Sequence, residues 1–265
     1  MLSSDCLAYV LRWRRVALNM PHLWADVDVG TIWSGHCDVV QAHKEDYNIR
    51  PVQLWLARGG SVPRSLYVKC SFIYSLKIAS LSQHHCPFRI QEIIGSFPYR
   101  ELCLQLYWKE MALALRGIAP KQMLPLESLN LESNRPDRNS SLHLPLPTKL
   151  PNLTYLSLGE HFQGNVDKLI TAVPWNQLEH LKLFFPIPST TCFGVILSQG
   201  LSLTHCHLES ATNSSFAKLH ITEPVVMPQM KFLDVYCLDE VDVENFKRWV
   251  VVPVAVGQLI VTYIR

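Results

Sequence analysis

A six-residue pattern recurs along this chain at a nearly constant spacing, and that repetition restricts the possible folds more than any other feature. The pattern places mostly apolar residues at its first, fourth and sixth positions, and its most regular copy reads Leu153-x-x-Leu156-x-Leu158. The copies occupy residues 99–104, 126–131, 153–158, 178–183, 203–208, 230–235 and 256–261. Their fourth positions are 25 to 27 residues apart. Seven copies at one pitch predict a repeat protein in which every unit contributes the same element.

Each copy has the alternation of a short strand, in which successive side chains point to opposite faces. In the copy at 153–158, Leu156 and Leu158 are expected to point into a core, and Ser157 is expected to point away from it. Aspartate should therefore be tolerated at position 157 but not at position 156, where it would bury an unpaired charge. The pitch lies within the window of about 20–29 residues that is typical of leucine-rich repeats.

Helical segments are predicted between the strands from apolar residues at helical spacing, over residues 51–58, 78–85, 165–173 and 242–250. The first should end at Gly59-Gly60, and the last has a potential N-cap at Asp242. Strands alternating with such segments at constant pitch give a parallel sheet with helices behind it. We therefore expect an α/β fold, specifically a leucine-rich-repeat solenoid with a curved parallel sheet on its concave side and helices outside.

The chain divides into three predicted regions within one continuous solenoid. Upstream of residue 97 the pitch is less regular, and Val27-x-Val29 and Leu66-x-Val68 read as early strands separated by longer insertions. We expect a short helical segment in residues 1–24, irregular repeats with inserted helices in residues 25–96, and regular leucine-rich repeats in residues 97–265.

Composition excludes several classes of protein. Charged residues make up 17% of the chain and apolar residues 48%, which is the opposite of intrinsic disorder. A net charge of +2 gives no electrostatic case for nucleic acid or an anionic membrane as a partner. The most apolar stretch, residues 249–264, is too short and too interrupted to span a bilayer. Without a signal peptide or any C-x-x-C pair, the eight cysteines indicate reduced thiols in the cytoplasm or the nucleus.

Two further segments resemble a known family. Trp13, Arg14 and Val16, followed by Pro21, Leu23 and Trp24, match the C-terminal half of an F-box, in which a W-R-x-V helix precedes a P-x-L-W turn. Residues 52–66, with Trp55-Leu56-x-Arg58-Gly59-Gly60-x-x-Pro63, resemble mushroom-type fungal F-box proteins with C-terminal leucine-rich repeats. Residues 1–12 do not match the L-P-x-E helix that opens an F-box, so we expect the N-terminal half of the motif to be missing.

The resemblance implies a function. It predicts a protein-binding subunit that recognises substrates for a cullin-type ubiquitin ligase. The six residues of the first segment would contact the small adaptor subunit of that ligase, provided that the F-box is complete in the full gene product. The alternative is a non-catalytic leucine-rich-repeat interaction scaffold without ligase association.

The sequence offers no basis for an enzyme, a cofactor or a metal centre. It lacks G-x-S-x-G, H-E-x-x-H and a phosphate-binding glycine motif. The adjacent residues His84, His85 and Cys86 cannot all face one metal ion. His205 and His207 flank Cys206, but strand alternation sends the thiol to the opposite face, so the three cannot work together.

The outward face of the predicted strands remains as the candidate binding surface for a protein substrate. Its predicted partner-binding residues are Tyr155, Lys182, Phe184, His205, His207, Phe232, Asp234 and Tyr236. Exposed aromatic residues are common anchors of protein interfaces. The alternative interpretation is that an aromatic ladder only stiffens the sheet.

Overall fold

The computed structural model describes residues 12–28, 50–69, 94–95, 97–106, 108–133, 149–159, 172–185, 198–210, 224–237, 240–253 and 258–263. The strands are β1 (Asp26–Asp28), β2 (Arg64–Lys69), β3 (Tyr99–Leu106), β4 (Ser128–Ser133), β5 (Tyr155–Leu158), β6 (His180–Phe185), β7 (His205–Ser210), β8 (Val225–Val226), β9 (Phe232–Cys237), β10 (Val250–Val251) and β11 (Gln258–Tyr263). The helices are α1 (Arg50–Arg58), α2 (Trp108–Arg116), α3 (Pro120–Met123) and α4 (Glu240–Trp249), preceded by a helical segment at 12–18 and a 3-10 turn at Pro21–Trp24. The predicted helix at 78–85, most of that at 165–173, and the His84-His85-Cys86 group lie outside the described residues.

Nine strands form a single parallel sheet, in the order β1-β2-β3-β4-β5-β6-β7-β9-β11. Each strand lies beside the strand of the next unit. The exceptions are the short strands β8 and β10, which pair with each other in a second parallel sheet. The predicted α/β class with a parallel sheet is therefore confirmed.

The register of the sheet follows the repeat. The fourth positions of the units are direct neighbours, together with the corresponding residues of the two early strands: Val27, Leu66, Leu102, Leu129, Leu156, Leu181, Cys206, Leu233 and Leu259. Those with described side chains are all buried, and Leu129 and Leu156 have no exposed surface. Each buried leucine contributes about 1.5–3 kcal/mol, so this continuous row holds the sheet together.

The end of α1 is organised by a buried arginine. The helix stops at Gly59 and Gly60, as predicted, and Gly60 adopts a φ of +58°, where glycine avoids the strain of a side chain. Arg64 is fully buried; its Nε and Nη2 donate to the Leu56 carbonyl at 3.0 and 2.7 Å, and Nη2 also donates to the Gly60 carbonyl at 2.8 Å. These bonds supplement the Gly59 N–H, which also donates to the Leu56 carbonyl at 3.1 Å, and they give the Gly60 carbonyl a donor at the helix terminus.

The surroundings of Arg64 are apolar and tightly packed. Its guanidinium lies 4.1 Å from the centroid of the Phe97 ring. A Cβ on Gly59 would lie 3.2 Å from Arg64 Nε, so glycine leaves the space that the guanidinium occupies. Burial lowers the pKa of Arg64, since charge is disfavoured away from water.

Two local expectations are corrected by the structure. Helix α4 begins at Glu240, so Asp242 lies inside the helix and does not cap it, and Val250 already belongs to a strand. Ser157 points away from the row of fourth positions, but it is only 5% exposed. It is the register neighbour of Asn130 and Lys182 on the adjacent strands, and both have longer side chains. Position 157 is therefore a poor choice for a tolerant control.

Candidate functional site

The outward side of strands β5, β6, β7 and β9 carries a row of rings, which we call the aromatic row: Tyr155, His180, His205 and Phe232. Successive ring centroids are 5.9, 4.4 and 6.1 Å apart. The imidazoles of His180 and His205 are stacked, with 15° between their planes. Because neighbouring strands are held at one spacing and in one register, the ring-bearing position of each unit lies beside that of the next.

A second row, the charged row, consists of Lys182, His207 and Asp234 on β6, β7 and β9. His207 Nδ1 lies 2.9 Å from Asp234 Oδ2. An ionised carboxylate only accepts hydrogen bonds, so His207 Nδ1 carries the proton and donates. His207 Nε2 lies 3.9 Å from Glu209 Oε2. Both His207 Nε2 and Asp234 Oδ1 are buried without a hydrogen-bond partner, which is an unfavourable state for polar atoms.

Aromatic residues further along the strands enclose the charged row. The His207 ring packs between Phe184, at 4.9 Å, and Tyr236, at 5.7 Å between centroids. The Lys182 ammonium lies 4.7 Å above the centroid of the Phe184 ring, which is the geometry of a cation–π contact. These contacts bring all eight predicted partner-binding residues onto one continuous face.

A cleft of about 290 Å³ lies on this face, and both rows line it. Its volume is close to the lower end of the range of about 300–1,000 Å³ for pockets that take small ligands. The lining alternates between rings and polar or charged groups, so it offers both stacking surfaces and hydrogen-bonding atoms. Sequence reasoning placed these residues on one face but did not foresee the His207–Asp234 contact, although their shared row position was the available signal.

The same face is different on the earlier strands, where polar side chains bond to one another. The Tyr67 hydroxyl donates to Glu101 Oε2 at 2.6 Å, and this bond raises the pKa of Tyr67 to about 12. Gln105 Nε2 donates to Glu132 Oε1 at 3.0 Å.

The cysteine of this region lies on the core side of the sheet. Cys206 is buried on the core side, away from His205 and His207, as the strand alternation predicted. Burial raises the pKa of its thiol to about 12, so the thiolate is not formed at neutral pH. Among the residues that the structure describes, no three His, Cys, Asp or Glu side chains are grouped so that they could hold a metal ion.

The residues predicted to contact a ligase adaptor fall into two groups. Trp13, Val16 and Leu23 are exposed apolar side chains; Arg14 is exposed as well, and Pro21 is half-buried.

Trp24, by contrast, packs within the chain. Its indole Nε1 donates to the Ala17 carbonyl at 2.7 Å, its ring meets Trp55 edge-on with centroids 4.5 Å apart, and Arg58 lies 4.8 Å above it. Trp24 therefore attaches the N-terminal helical segment to α1.

The stacked histidines predict a loss of stability on acidification. Burial, followed by the neighbouring His205, lowers the pKa of His180, so the folded state favours the neutral ring. The unfolded chain therefore binds the proton first, and stability should fall as the pH drops below about 6.5. We expect the melting temperature of His180→Gln to fall less than that of the wild type between about pH 7.5 and 5. If the melting temperatures of the two proteins fell equally, the lowered pKa of His180 in the folded state would be contradicted. His22→Gln, at an exposed site, is the control.

Comparison of the chain with protein-family models, with curated proteins and with solved structures found no match in any of the three searches. No helix in the described part of the chain is long and apolar enough to cross a bilayer.

Proposed function

We propose that this chain is a leucine-rich-repeat solenoid of the F-box-like type, which binds another protein through the exposed face of its parallel sheet. Support for the solenoid comes from the order of the sheet, in which nearly every repeat adds one strand beside the previous one. The constant register supports it as well, since equivalent residues of successive units are direct neighbours. Such stacking is how repeat proteins build an extended binding surface.

The aromatic row is the observation that carries the proposal of protein binding. A parallel sheet usually has both faces covered. Here Tyr155, His180 and Phe232 are half-buried and His205 is exposed, so the rings remain accessible beside a cleft. Aromatic side chains held in place by their neighbours lose little conformational freedom on binding, which favours them as interface anchors.

By resemblance, the bound protein would be a substrate of a cullin-type ubiquitin ligase, and the chain would act in the cytoplasm or the nucleus. Exposed Trp13, Val16 and Leu23 support this role, since they leave an apolar surface for the small adaptor subunit. The second candidate is an interaction scaffold without ligase association. It is favoured by Trp24, a residue of the F-box-like motif whose ring is engaged by Trp55.

Pull-down of the full-length gene product with the small adaptor subunit of a cullin-type ubiquitin ligase distinguishes the two candidates. The ligase role predicts a stoichiometric complex that survives washing at moderate salt. Absence of any association, with a chain shown to be folded by its cooperative melting, would remove the ligase role and leave the scaffold.

Two neighbouring substitutions separate adaptor binding from internal packing. Trp24→Ala should lower the free energy of unfolding by about 2–3 kcal/mol, less than a fully buried tryptophan because the ring is half-buried. Leu23→Ala, at a side chain that is 55% exposed, should change it by less than about 0.5 kcal/mol but weaken the adaptor complex. Urea titration and the pull-down are the two measurements. Equal destabilisation by both substitutions would contradict the described packing of Trp24.

A further inference from the structure

The cleft has opposite charges at its two ends. It runs across the strands between the aromatic row on one side and the charged row on the other. Lys182 lies at one end of the charged row and Asp234 at the other, with His207 between them. With strands about 4.8 Å apart, two steps separate the ends by about 10 Å.

Within the part of the chain that the structure describes, the positive end has no compensating charge. Among the described residues, no carboxylate forms an ion pair with Lys182, whose ammonium rests on the Phe184 ring. A cation held over an aromatic ring remains able to pair with an approaching anion.

The negative end has an unused acceptor. One oxygen of Asp234 accepts from His207, while Oδ1 is buried and receives no hydrogen bond. The Asp234 side chain is 10% exposed, so a donor can reach Oδ1 once a neighbouring side chain moves aside. A hydrogen bond donated to Oδ1 removes the free-energy cost of leaving this buried acceptor unpaired, and that gain favours the movement of the side chain.

We propose that this cleft binds a segment of the partner protein in the polyproline-II conformation that carries an acidic and a basic side chain three residues apart. The acid would pair with Lys182 and the base with Asp234, while the segment lies against the aromatic row. A polyproline-II segment has three residues per turn and advances about 3.1 Å per residue, so side chains three residues apart lie on one face and about 9 Å apart, close to the distance between the two ends. This inference rests on the proposed function, because it names the chemistry of the partner at the same face.

The test is a selection from a phage-displayed library of random octapeptides on the full chain, followed by affinity measurements on synthesised winners. Wild-type protein should enrich peptides with an acid and a base three positions apart. Asp234→Asn, which keeps the shape of the side chain, should weaken the best peptide by at least about tenfold. Lys182→Glu should reverse the preference at the acidic position, so that the peptide with a base there binds better. Lys121→Glu, at an exposed site on α3, should change nothing.

The outcomes separate this inference from the proposed function. Peptides that lose affinity on Phe232→Ala but show no dependence on Lys182 or Asp234 would overturn the charge pairing and leave protein binding intact. A selection without binders, or with binders indifferent to Phe232→Ala, would count against both. Circular dichroism and melting of every variant identify any that fails to fold, and Lys182→Glu then tests the pairing independently of the buried Asp234.

Discussion

Leu156→Asp and Leu181→Asp should each abolish the cooperative folding of the protein. Both leucines are at most 2% exposed and lie side by side in the row that runs through the sheet. Removing a buried leucine costs about 2–5 kcal/mol, and an unpaired buried carboxylate adds more. The sum reaches the total stability of a typical domain, about 5–15 kcal/mol. Circular dichroism on heating should show a broad or absent transition for both variants.

The matched control is a carboxylate on an outward-facing residue of the strand beside Leu181. His205→Asp introduces the same group at an exposed position, next to the buried Cys206. It should change the free energy of unfolding by less than about 1 kcal/mol. If His205→Asp and Leu181→Asp destabilised the protein equally, the assignment of the two faces of the sheet would be wrong.

Arg64→Ala should lower the free energy of unfolding by about 3–5 kcal/mol, because it empties a fully buried site, removes two of the hydrogen bonds to the Leu56 carbonyl and takes the arginine donor from the Gly60 carbonyl. Arg64→Met keeps most of the volume and removes only the donors, so its expected cost is about 1–3 kcal/mol. Urea titration measures both. A methionine variant as stable as the wild type would show that the hydrogen bonds only offset the cost of burying the charge.

Gly59 provides a check on the same contact. Gly59→Ala would bring a Cβ to within 3.2 to 3.3 Å of Arg64 Nε and Nη2, so it should displace the guanidinium from its carbonyl partners. In the Arg64→Ala background that conflict is absent, and Gly59→Ala should destabilise the protein less. If the double substitution lowered the free energy of unfolding by the sum of the two single effects, a direct contact between residues 59 and 64 would be contradicted.

The sheet could be predicted from the sequence because its determinants are periodic. An inward pair such as Leu181 and Leu183 must recur in every unit for neighbouring strands to share one core, so the spacing carries the register directly. The same alternation correctly separated Cys206 from His205. These features depend on which face a residue occupies, and a period of two is sufficient to fix that.

The remaining features depend on contacts between particular side chains, which periodicity does not encode. Arg64 is fully buried although arginine is almost always exposed, and only the nearby helix end explains it. The resemblance predicts an adaptor contact for Trp24, and it does not indicate that the ring packs on Trp55. Ser157 is buried beside neighbours with longer side chains, and the His207–Asp234 bond depends on rotamers that no sequence pattern specifies.

Site-specific photocrosslinking in cells tests the central claim, protein binding by the exposed face of the sheet, most directly. A benzophenone amino acid would replace Phe232 on the aromatic row or, as the control, Val251, which is 46% exposed on the second sheet. The proposed function predicts discrete, identifiable protein adducts from position 232 that disappear with His205→Glu, and none from position 251. Adducts from position 251 with none from position 232 would contradict it.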